Sequence, residues 1–356
     1  MEVIKAVNIN DAWGDAREEL FENHVVRPSR VGEVWEYPGP VTTVYWNPAQ
    51  RVLFDPKRNA NHFFHFMEAL HMLAGRRDVA WLEQFNSKIR DFVGKDDLQH
   101  AAYGHRLRLA FDLDGGAEDD YADQLPKVAR MLAKDKNERR AVLCIWNPLW
   151  DLERPDISDI PCNDIIFLKI REGALDMTVC CRSNDIIFGC YGSNIVQFST
   201  LQEYLAAMIG VPMGFYYQVS DSWHAYTERW EKLAGNPPYN YPPVDYYSDA
   251  SPSQPNVNPF PLVRNPDTFD EELQRWMARD GIETHTWDNY YFPLVAEPLW
   301  QAHKAYRTND LEKALEHARH CQATDWRIGV IEWLERIRVR RASKEDYEAE
   351  IKDANI

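Results

Sequence analysis

The stretch IPCNDIIFLKIREGALDMTVCCRSND, residues 160–185, decides the fold of this chain. It holds two apolar runs, Ile165 to Ile170 and Leu175 to Cys181, on either side of a short segment that contains a glycine. The second run alternates apolar and polar residues, and such a period of two next to a glycine is typical of a β-hairpin. We therefore predict two antiparallel strands with a turn centred on Glu172-Gly173.

That hairpin determines which side chains meet at its open end. With this turn, antiparallel pairing places Cys162 opposite Ser183 and directly beside Arg182. A guanidinium next to a thiol stabilises the thiolate, which is the form of cysteine that attacks carbon. The pattern therefore predicts a cysteine nucleophile with a cationic partner.

The composition is that of a folded, enzyme-sized chain. Its 356 residues are 45% hydrophobic and 27% charged, and 13 Trp and 17 Tyr supply aromatic surface for a core and for ligands. The formal net charge of −16 argues against a nucleic-acid partner, because binding many phosphates requires clustered positive charge. A single nucleotide needs only a few arginines and stays compatible with this charge.

The cysteines and the hydropathy pattern indicate the compartment. Six cysteines, at positions 144, 162, 180, 181, 190 and 321, have neither CxxC spacing nor a paired framework. We therefore predict reduced thiols in a cytoplasmic protein and no metal site. No apolar stretch approaches the length of about 18 residues that a membrane span needs, and no signal peptide is recognisable, so neither a span nor secretion is expected.

Proline content divides the chain into three parts. Residues 237–268 are rich in Pro, Asn and Ser, and we predict an extended linker or a surface excursion there. Residues 1–236 are predicted to form a catalytic domain, and residues 269–356 a helical C-terminal extension. Residue patterns predict helices at 63–73, 120–134, 201–209, 300–306, 311–320 and through Trp333, and strands at 141–146 and 214–219.

Seven segments in chain order resemble the thymidylate synthase and deoxycytidylate hydroxymethylase superfamily, over roughly residues 20–230. The resemblance implies an α+β, thymidylate synthase-like fold in which a large mixed β-sheet packs against helices, followed by the helical extension. The matching segments are EALHMLAGRRD at 68–78, YGHRLR at 103–108, the double arginine 139–140, WNP at 146–148, the Pro-Cys hairpin quoted above, GSNI at 192–195 and HAY at 224–226.

The same resemblance implies roles for individual residues. Cys162 would be the nucleophile, next to Asn163, and Glu68 with Tyr103 would relay protons through ordered water. The other residues implied are Arg30, Arg139, Arg140, Arg182 and Ser183 for the substrate phosphate, Asn194 and Ser193 for the base, His224 and Tyr226 for the sugar, and Asp185 for the folate pterin.

The double arginine bears on oligomeric state. In the family this pair reaches across a two-fold interface to the phosphate bound by the other subunit, so Arg139 and Arg140 imply a homodimer. Arg30, in the segment 29–32, resembles the arginine of the phosphate loop, and Arg27 is a competitor for that role.

The implied substrate is a pyrimidine nucleoside monophosphate, and the implied cofactor is 5,10-methylenetetrahydrofolate. Addition of a thiolate to carbon 6 makes carbon 5 of the pyrimidine nucleophilic, so that it can take up the methylene of the folate. Hydride from the folate then gives a methyl product, whereas water gives a hydroxymethyl product.

Three departures from thymidylate synthases favour water. Asn163 stands where those enzymes place a His, and Ile89-Arg90 stands where an Ile-Trp pair lies near the cofactor. The sequence also ends without their short apolar tail, which excludes water from the folate. We therefore predict hydroxymethylation rather than methylation.

The base is read in the family by Asn for uracil and by Asp for cytosine. Asn194 matches that Asn through the Ile after it, whereas counting eight residues from Asp185 gives Ser193, because the loop is one residue longer. The sequence of residues 181–189 resembles that of the hydroxymethylases, so dCMP 5-hydroxymethylation is the first prediction. The alternatives are dCMP methylation, thymidylate synthesis and dUMP hydroxymethylation, with ribonucleotide or deoxyribonucleotide left open.

Two other classes complete the hypotheses. One is a nucleotide-binding relative without catalysis, which would release no proton from carbon 5. The other is a cysteine hydrolase, which the sequence disfavours because no His or Asp has the spacing of a catalytic triad. The resemblance itself points to modified nucleotides of phage genomes or of antibiotic pathways.

Overall fold

The computed structural model describes residues 1–93, 96–111, 123–153, 158–234, 245–248 and 257–354, and only the backbone at Phe92, Ala234 and 343–354. Within these ranges the strands are β1 Glu2–Ala6, β2 Val25–Ser29, β3 Gly32–Glu36, β4 Val41–Tyr45, β5 Val142–Cys144, β6 Asn163–Arg171, β7 Ala174–Asp185 and β8 Met213–Tyr226. The helices are α1 Ile9–Asn23, α2 His62–Leu73, α3 Val79–Glu83, α4 Ile89–Val93, α5 Tyr103–Arg108, α6 Gln124–Lys134, α7 Pro148–Asp151, α8 Ile195–Ile209, α9 Thr227–Ala234, α10 Pro266–Ala278, α11 Glu297–Arg307, α12 Leu311–Arg319 and α13 Thr324–Ala354, with π-helical turns at Ile186–Asn194 and Phe292–Ala296.

The strands form one mixed sheet in the order β1-β4-β8-β7-β6-β5. The pairs β1/β4 and β7/β8 are parallel, and β4/β8, β6/β7 and β5/β6 are antiparallel. The β2–β3 hairpin joins the same sheet through an antiparallel pair of β3 with the end of β8. The predicted α+β fold with a large mixed sheet is confirmed.

The predicted hairpin is present as β6 and β7, but its register differs at the open end. Glu172 and Gly173 have φ of 48° and 80°, as a tight two-residue hairpin turn requires. A β-bulge between Asn163 and Ile165 then puts one extra residue into β6. Cys162 therefore pairs with Arg182, whose N–H donates to the Cys162 carbonyl at 2.9 Å, and the predicted pairing with Ser183 was wrong.

The other predicted elements are found with shifted ends. Helix α2 covers the predicted helix 63–73, and Asn61 caps it by accepting from the Phe64 N–H. Residues 120–122 of the predicted helix 120–134 lie outside the described residues. Of the rest, α6 begins at Gln124, α8 begins six residues before the predicted start at Leu201, β5 spans three of the six predicted residues, β8 runs on to Tyr226, and α11 to α13 match the predicted C-terminal helices.

The C-terminal helices cover α2 on the side away from the sheet. Phe66 of α2 stacks on Tyr291 with ring centroids 5.8 Å apart and meets Trp326 of α13 edge-on at 5.0 Å. Phe63 meets Trp333 edge-on at 5.7 Å. All five residues belong to one buried apolar cluster that continues into the core above the sheet.

Part of the proline-rich segment is also buried. Its residues 237–244 and 249–256 lie outside the described residues, and α10 begins at Pro266. Tyr247 is buried, and its hydroxyl accepts from the Val52 N–H at 3.1 Å and donates to Asp325 of α13 at 3.0 Å. This segment therefore contacts both the N-terminal residues and the C-terminal helices. Among the described helices, none has the length and apolar character to cross a membrane.

Candidate active site

Several cavities adjoin the open end of the β6–β7 hairpin, and two of them are lined by most of the predicted site residues, one by Cys162 and one by Arg182. The first, here called the thiol cavity, has a volume of about 230 Å³. The second, the arginine cavity, has a volume of about 280 Å³. Predicted site residues line both: Cys162, Glu68, Tyr103, Ser193 and Asn194 the thiol cavity, and Arg30, Arg182, Ser183, His224 and Tyr226 the arginine cavity.

The Cys162 thiol and the Arg182 guanidinium are in contact, as predicted. Nη2 of Arg182 lies 3.8 Å from Sγ of Cys162. The guanidinium is fixed by donating to the carbonyl oxygens of Pro161 at 2.8 Å and Ile160 at 3.2 Å, and it lies over the Trp146 ring. Because these bonds hold the guanidinium against the segment that carries the thiol, the contact is part of the folded hairpin.

This contact does not by itself produce a thiolate. Burial raises the pKa of Cys162, and the attraction of Arg182, and more weakly of Arg30, offsets only part of that rise. The predicted lowering of this pKa by Arg182 is present, but burial outweighs it, because removing a charge from water costs more here than the neighbouring cations return. The thiol instead donates weakly to the Ile160 carbonyl, with Sγ 3.9 Å from the oxygen.

Glu68 is a buried carboxyl in the same cavity. Burial raises its pKa from 4.5 to about 7, against a smaller lowering by a hydrogen bond with Ser193. Its Oε2 atom has no hydrogen-bond partner among the residues that the structure describes. A carboxyl that ionises near neutral pH can both take up and release a proton, which suits a general base.

Tyr103 and Asn163 hold the backbone around the thiol. Asn163 is fully buried and donates from Nδ2 to the Tyr103 hydroxyl at 3.0 Å. The same hydroxyl is hydrogen-bonded to the Cys162 backbone. Burial, and then the nearby thiol of Cys162, raise the pKa of Tyr103 well above 10. Tyr103 is therefore a neutral hydrogen-bonding group here and not a base.

The two candidate base-reading residues follow a kink in the π-helical turn. Tyr191 and Gly192 have non-helical backbone angles. The kink brings both Ser193 and Asn194 to the thiol cavity. Ser193 is hydrogen-bonded to Glu68, so Asn194 is the one whose amide is left for a ligand.

The Asn194 amide is oriented by a second amide. Its Nδ2 donates to Oδ1 of Asn184 at 3.0 Å, and Asn184 Nδ2 donates to the Ser220 hydroxyl at 2.9 Å. Gly189 makes room for this pair, since a Cβ there would lie 2.9 Å from the Asn184 oxygen and 3.2 Å from the Asn194 nitrogen. Among the described residues, no other hydrogen bond occupies the second N–H of Asn194 or its Oδ1.

The arginine cavity is built where β3 meets β8. Arg27 is paired with Glu36 at 2.8 Å, whereas no ion pair of Arg30 occurs among the described residues. His224 and Tyr226 lie on the same face of β8, with ring centroids 5.7 Å apart. A cavity with free cationic charge at one end and hydrogen-bonding rings at the other suits a phosphate and a sugar.

Besides Asn163, three predicted residues line neither cavity. Asp185 ends β7, accepts from the Ile187 N–H at 2.9 Å, and has its pKa raised by burial. Arg139 and Arg140 are exposed just before β5, and Arg140 pairs with Glu138 at 2.6 Å. None of these three residues lines the cavity that holds the thiol.

Among the polar residues at the site that sequence analysis did not single out are Asp159, Asn184 and Glu36. Asp159 lines the thiol cavity and accepts at Oδ2 from the His100 N–H at 2.7 Å. Asn184 orients Asn194, and Glu36 lines the arginine cavity. Asn184 lies between two predicted residues of the same strand, so the alternation of that strand could have predicted a role for it. No pattern in the sequence around Glu36 or Asp159 predicts that either residue lies at the site.

The mixed sheet, the cysteine at the end of a hairpin and the two cavities define the class of pyrimidine-nucleotide C5 transferases. Comparison with known proteins agrees. The sequence model of the family described as "Thymidylate synthase" matches residues 57–242. The chain belongs to the thymidylate synthase family.

Three relatives, all named "Deoxyuridylate hydroxymethyltransferase", are similar to this chain. One, from Pseudomonas phage M6, is 38% identical over 100% of this chain and 99% of its own length. One from Bacillus phage SP01 is 40% identical over 53% of this chain and 50% of its own. One from Delftia phage PhiW-14 is 31% identical over 49% of each.

The chain is thus a folate-dependent enzyme that transfers a one-carbon unit to carbon 5 of a pyrimidine nucleotide. Its donor is 5,10-methylenetetrahydrofolate, which supplies an electrophilic methylene when bound. The thiol cavity fits a flat ring beside the nucleotide, because the apolar side chains of Met72, Leu82 and Ile89 line it together with the buried carboxyl of Glu68.

Proposed function

We propose that this protein is a dUMP 5-hydroxymethyltransferase. The observation that carries the choice of base is the oriented amide of Asn194. With Nδ2 fixed toward Asn184, the remaining N–H can donate to O4 of uracil while Oδ1 accepts from N3–H. Relatives that are named for deoxyuridylate support the same choice.

Cytosine, the base first predicted, requires the opposite arrangement of donor and acceptor on the Asn194 amide. Its N4 amino group donates and its N3 accepts, so the Asn194 amide would have to turn over. Its oxygen would then face Oδ1 of Asn184 at the present 3.0 Å, unless Asn184 turned as well. Turning both amides requires the Ser220 hydroxyl to become a donor, whereas it now accepts. The hydrogen-bond chain therefore favours uracil.

The lining of the thiol cavity supports the proposed roles of Cys162 as nucleophile and of Glu68 as general base. In this proposal, Cys162 adds to carbon 6, and the substrate phosphate bound near Arg30 and Arg182 brings the pyrimidine over the thiol. Glu68 then accepts the proton that leaves carbon 5 through ordered water, because its pKa of about 7 allows uptake at neutral pH. Tyr103, fixed by Asn163, holds the thiol loop in place.

The remaining assignments follow the arginine cavity and the resemblance. Ser183 assists Arg30 and Arg182 at the phosphate, and His224 with Tyr226 receives the sugar hydroxyl. Arg30 is preferred to Arg27, since Glu36 already neutralises Arg27. Asp185 is kept as the pterin residue by resemblance alone, because it lines neither cavity.

Water, rather than hydride, is favoured by the polar lining of the thiol cavity. The lining includes the polar groups of Arg76, His71, Gln99 and Asp159, which can order water near the methylene that forms on carbon 5. Attack by such a water gives the hydroxymethyl group, and Cys162 then leaves carbon 6.

A homodimer is proposed from the uncovered face of the sheet. Phe167 of β6 and Phe215 of β8 are 44% and 43% exposed. They share a face, because Phe167 pairs with Thr178 and Thr178 pairs with Tyr217, two residues beyond Phe215. A second copy on this face would cover these rings and would allow Arg139 and Arg140 to reach the partner's phosphate.

The product identifies the function. The protein is incubated with methylenetetrahydrofolate and with dUMP, dCMP, UMP or CMP, and the products are weighed by mass spectrometry. We expect a hydroxymethyl product from dUMP with tetrahydrofolate released. A methyl product with dihydrofolate would contradict hydroxymethylation, and preferential turnover of dCMP would contradict the reading of Asn194. A Cys162→Ala variant serves as the blank.

A further inference from the structure

We propose that Glu36 and Ser222 fix the ring tautomer of His224 and thereby make His224 a reader of the 3′-hydroxyl group of the nucleotide. This inference rests on the proposed function, which places the sugar in the arginine cavity. It adds two positioning residues that act on the substrate through the histidine.

The sheet register brings the three residues together. Glu36 of β3 lies directly opposite His224 of β8 in the antiparallel pair. Ser222 precedes His224 by two residues, so its side chain lies on the same face of β8. All three line the arginine cavity, and His224 is buried.

The hydrogen bonds run in one direction. The Ser222 hydroxyl donates to Oε1 of Glu36, because a carboxylate can only accept. The Ser222 Oγ atom then faces Nδ1 of His224 at 3.2 Å as an acceptor. The Ser222 carbonyl oxygen, also an acceptor only, lies 3.3 Å from the same Nδ1.

Both neighbours of Nδ1 therefore require a proton on that nitrogen. In the neutral imidazole, Nε2 then carries a lone pair and accepts a hydrogen bond. A sugar hydroxyl that donates to Nε2 is matched, and an analogue that lacks it leaves this buried nitrogen without a partner.

Arg27 neutralises the carboxylate of Glu36, which therefore can lie in the cavity that is proposed to bind the substrate phosphate. Its Nε lies 2.8 Å from Oε2 of Glu36, so the charge of the carboxylate is balanced while Oε1 serves Ser222. Glu36 thus has one partner for each oxygen and can hold the serine without binding substrate itself.

The test compares equilibrium binding of dUMP and of 2′,3′-dideoxyuridine monophosphate, which lacks only the 3′-hydroxyl, by titration calorimetry. We expect the wild-type protein to prefer dUMP by about fivefold to tenfold, as one neutral hydrogen bond supplies. Ser222→Ala removes the acceptor at Oγ. Glu36→Gln can donate as well as accept, which lets the serine turn its proton toward His224. In both variants the preference should fall below the wild-type value, while the backbone carbonyl of residue 222, which still accepts from Nδ1, should keep it above one.

The controls separate positioning from packing. Glu33→Gln, an exposed acid on the same strand β3, should keep the wild-type preference. In a His224→Ala background the part of the preference that depends on the histidine should already be lost, and adding Ser222→Ala should not change what remains. If Ser222→Ala and Glu36→Gln weaken both nucleotides by the same factor, the inference is overturned. Binding without turnover of any nucleotide overturns the proposed function alone, and absence of any binding overturns both.

Discussion

Replacing Glu68 by Gln is expected to stabilise the protein above neutral pH while removing its activity. The substitution keeps the shape of the side chain and the hydrogen-bonding contact with Ser193, but it removes the ionisation. In the folded protein burial raises the pKa of Glu68 from 4.5 to about 7. Between these values the folded state holds a proton that the unfolded chain has released, so the stability contribution of this group falls as pH rises through the window.

The size of the effect follows from the two pKa values. Once pH exceeds the folded value, the cost of ionising Glu68 in the cavity amounts to about 3 kcal/mol of unfolding free energy. The Glu68→Gln variant has no carboxyl group to ionise, so its unfolding free energy does not include this term. The two proteins should thus have nearly equal stability near pH 5, and the variant should be more stable by up to about 3 kcal/mol at pH 8.

The assay is urea unfolding of both proteins at pH 5, 6, 7 and 8, followed by the release of tritium from carbon 5 of labelled dUMP. Tritium release should fall by about a hundredfold or more in the variant, since general-base catalysis contributes that much. Glu316→Gln, at an exposed position of α12, is the matched control and should show neither change. Parallel stability curves for wild type and Glu68→Gln across this pH range would refute the reasoning.

Three further predictions test the base, the thiol and the dimer. Asn194→Asp should raise the ratio of dCMP to dUMP turnover by about tenfold or more, because a carboxylate accepts from the cytosine amino group but cannot donate to uracil O4; an unchanged product ratio would contradict base reading at this position. Arg182→Met should slow alkylation of Cys162 by iodoacetamide at pH 8, since the pKa of the thiol rises further without the guanidinium, and Arg182→Lys should retain more of the rate; equal rates in all three proteins would exclude this electrostatic role. Subunits carrying Cys162→Ala, mixed by refolding with subunits carrying Arg139→Ala and Arg140→Ala, should regain about a quarter of wild-type activity, because one of the two sites in each mixed dimer is then intact; an inactive mixture of dimers would exclude sharing of these arginines.

The features that sequence predicted are those with a local pattern. Alternation across residues 165–181 determined the hairpin, and three-to-four spacing from Phe63 determined α2. The bulge at the start of β6 has no such pattern, and it changed the residue opposite Cys162. The pKa of that thiol also escaped prediction, because burial is a property of the whole fold and here it exceeds the effect of the adjacent Arg182.

Only some of the residues of the arginine cavity could be predicted from the sequence. His224 and Tyr226 could be recognised because they form a short motif in one strand. Glu36 could not, since 188 positions separate it from His224 and only the pairing of β3 with β8 makes them neighbours. Two strands that are distant in sequence can bring side chains into contact, but the sequence of neither strand indicates which strand it pairs with.

The C-terminal helices pack over α2, and this packing can form only late in synthesis of the chain. Phe63 and Phe66 stay without their partners Tyr291, Trp326 and Trp333 until about a hundred residues beyond β8 have left the ribosome. At usual elongation rates this takes roughly 5 to 20 s. The nascent chain therefore carries helix α2 with an apolar face in water during that interval.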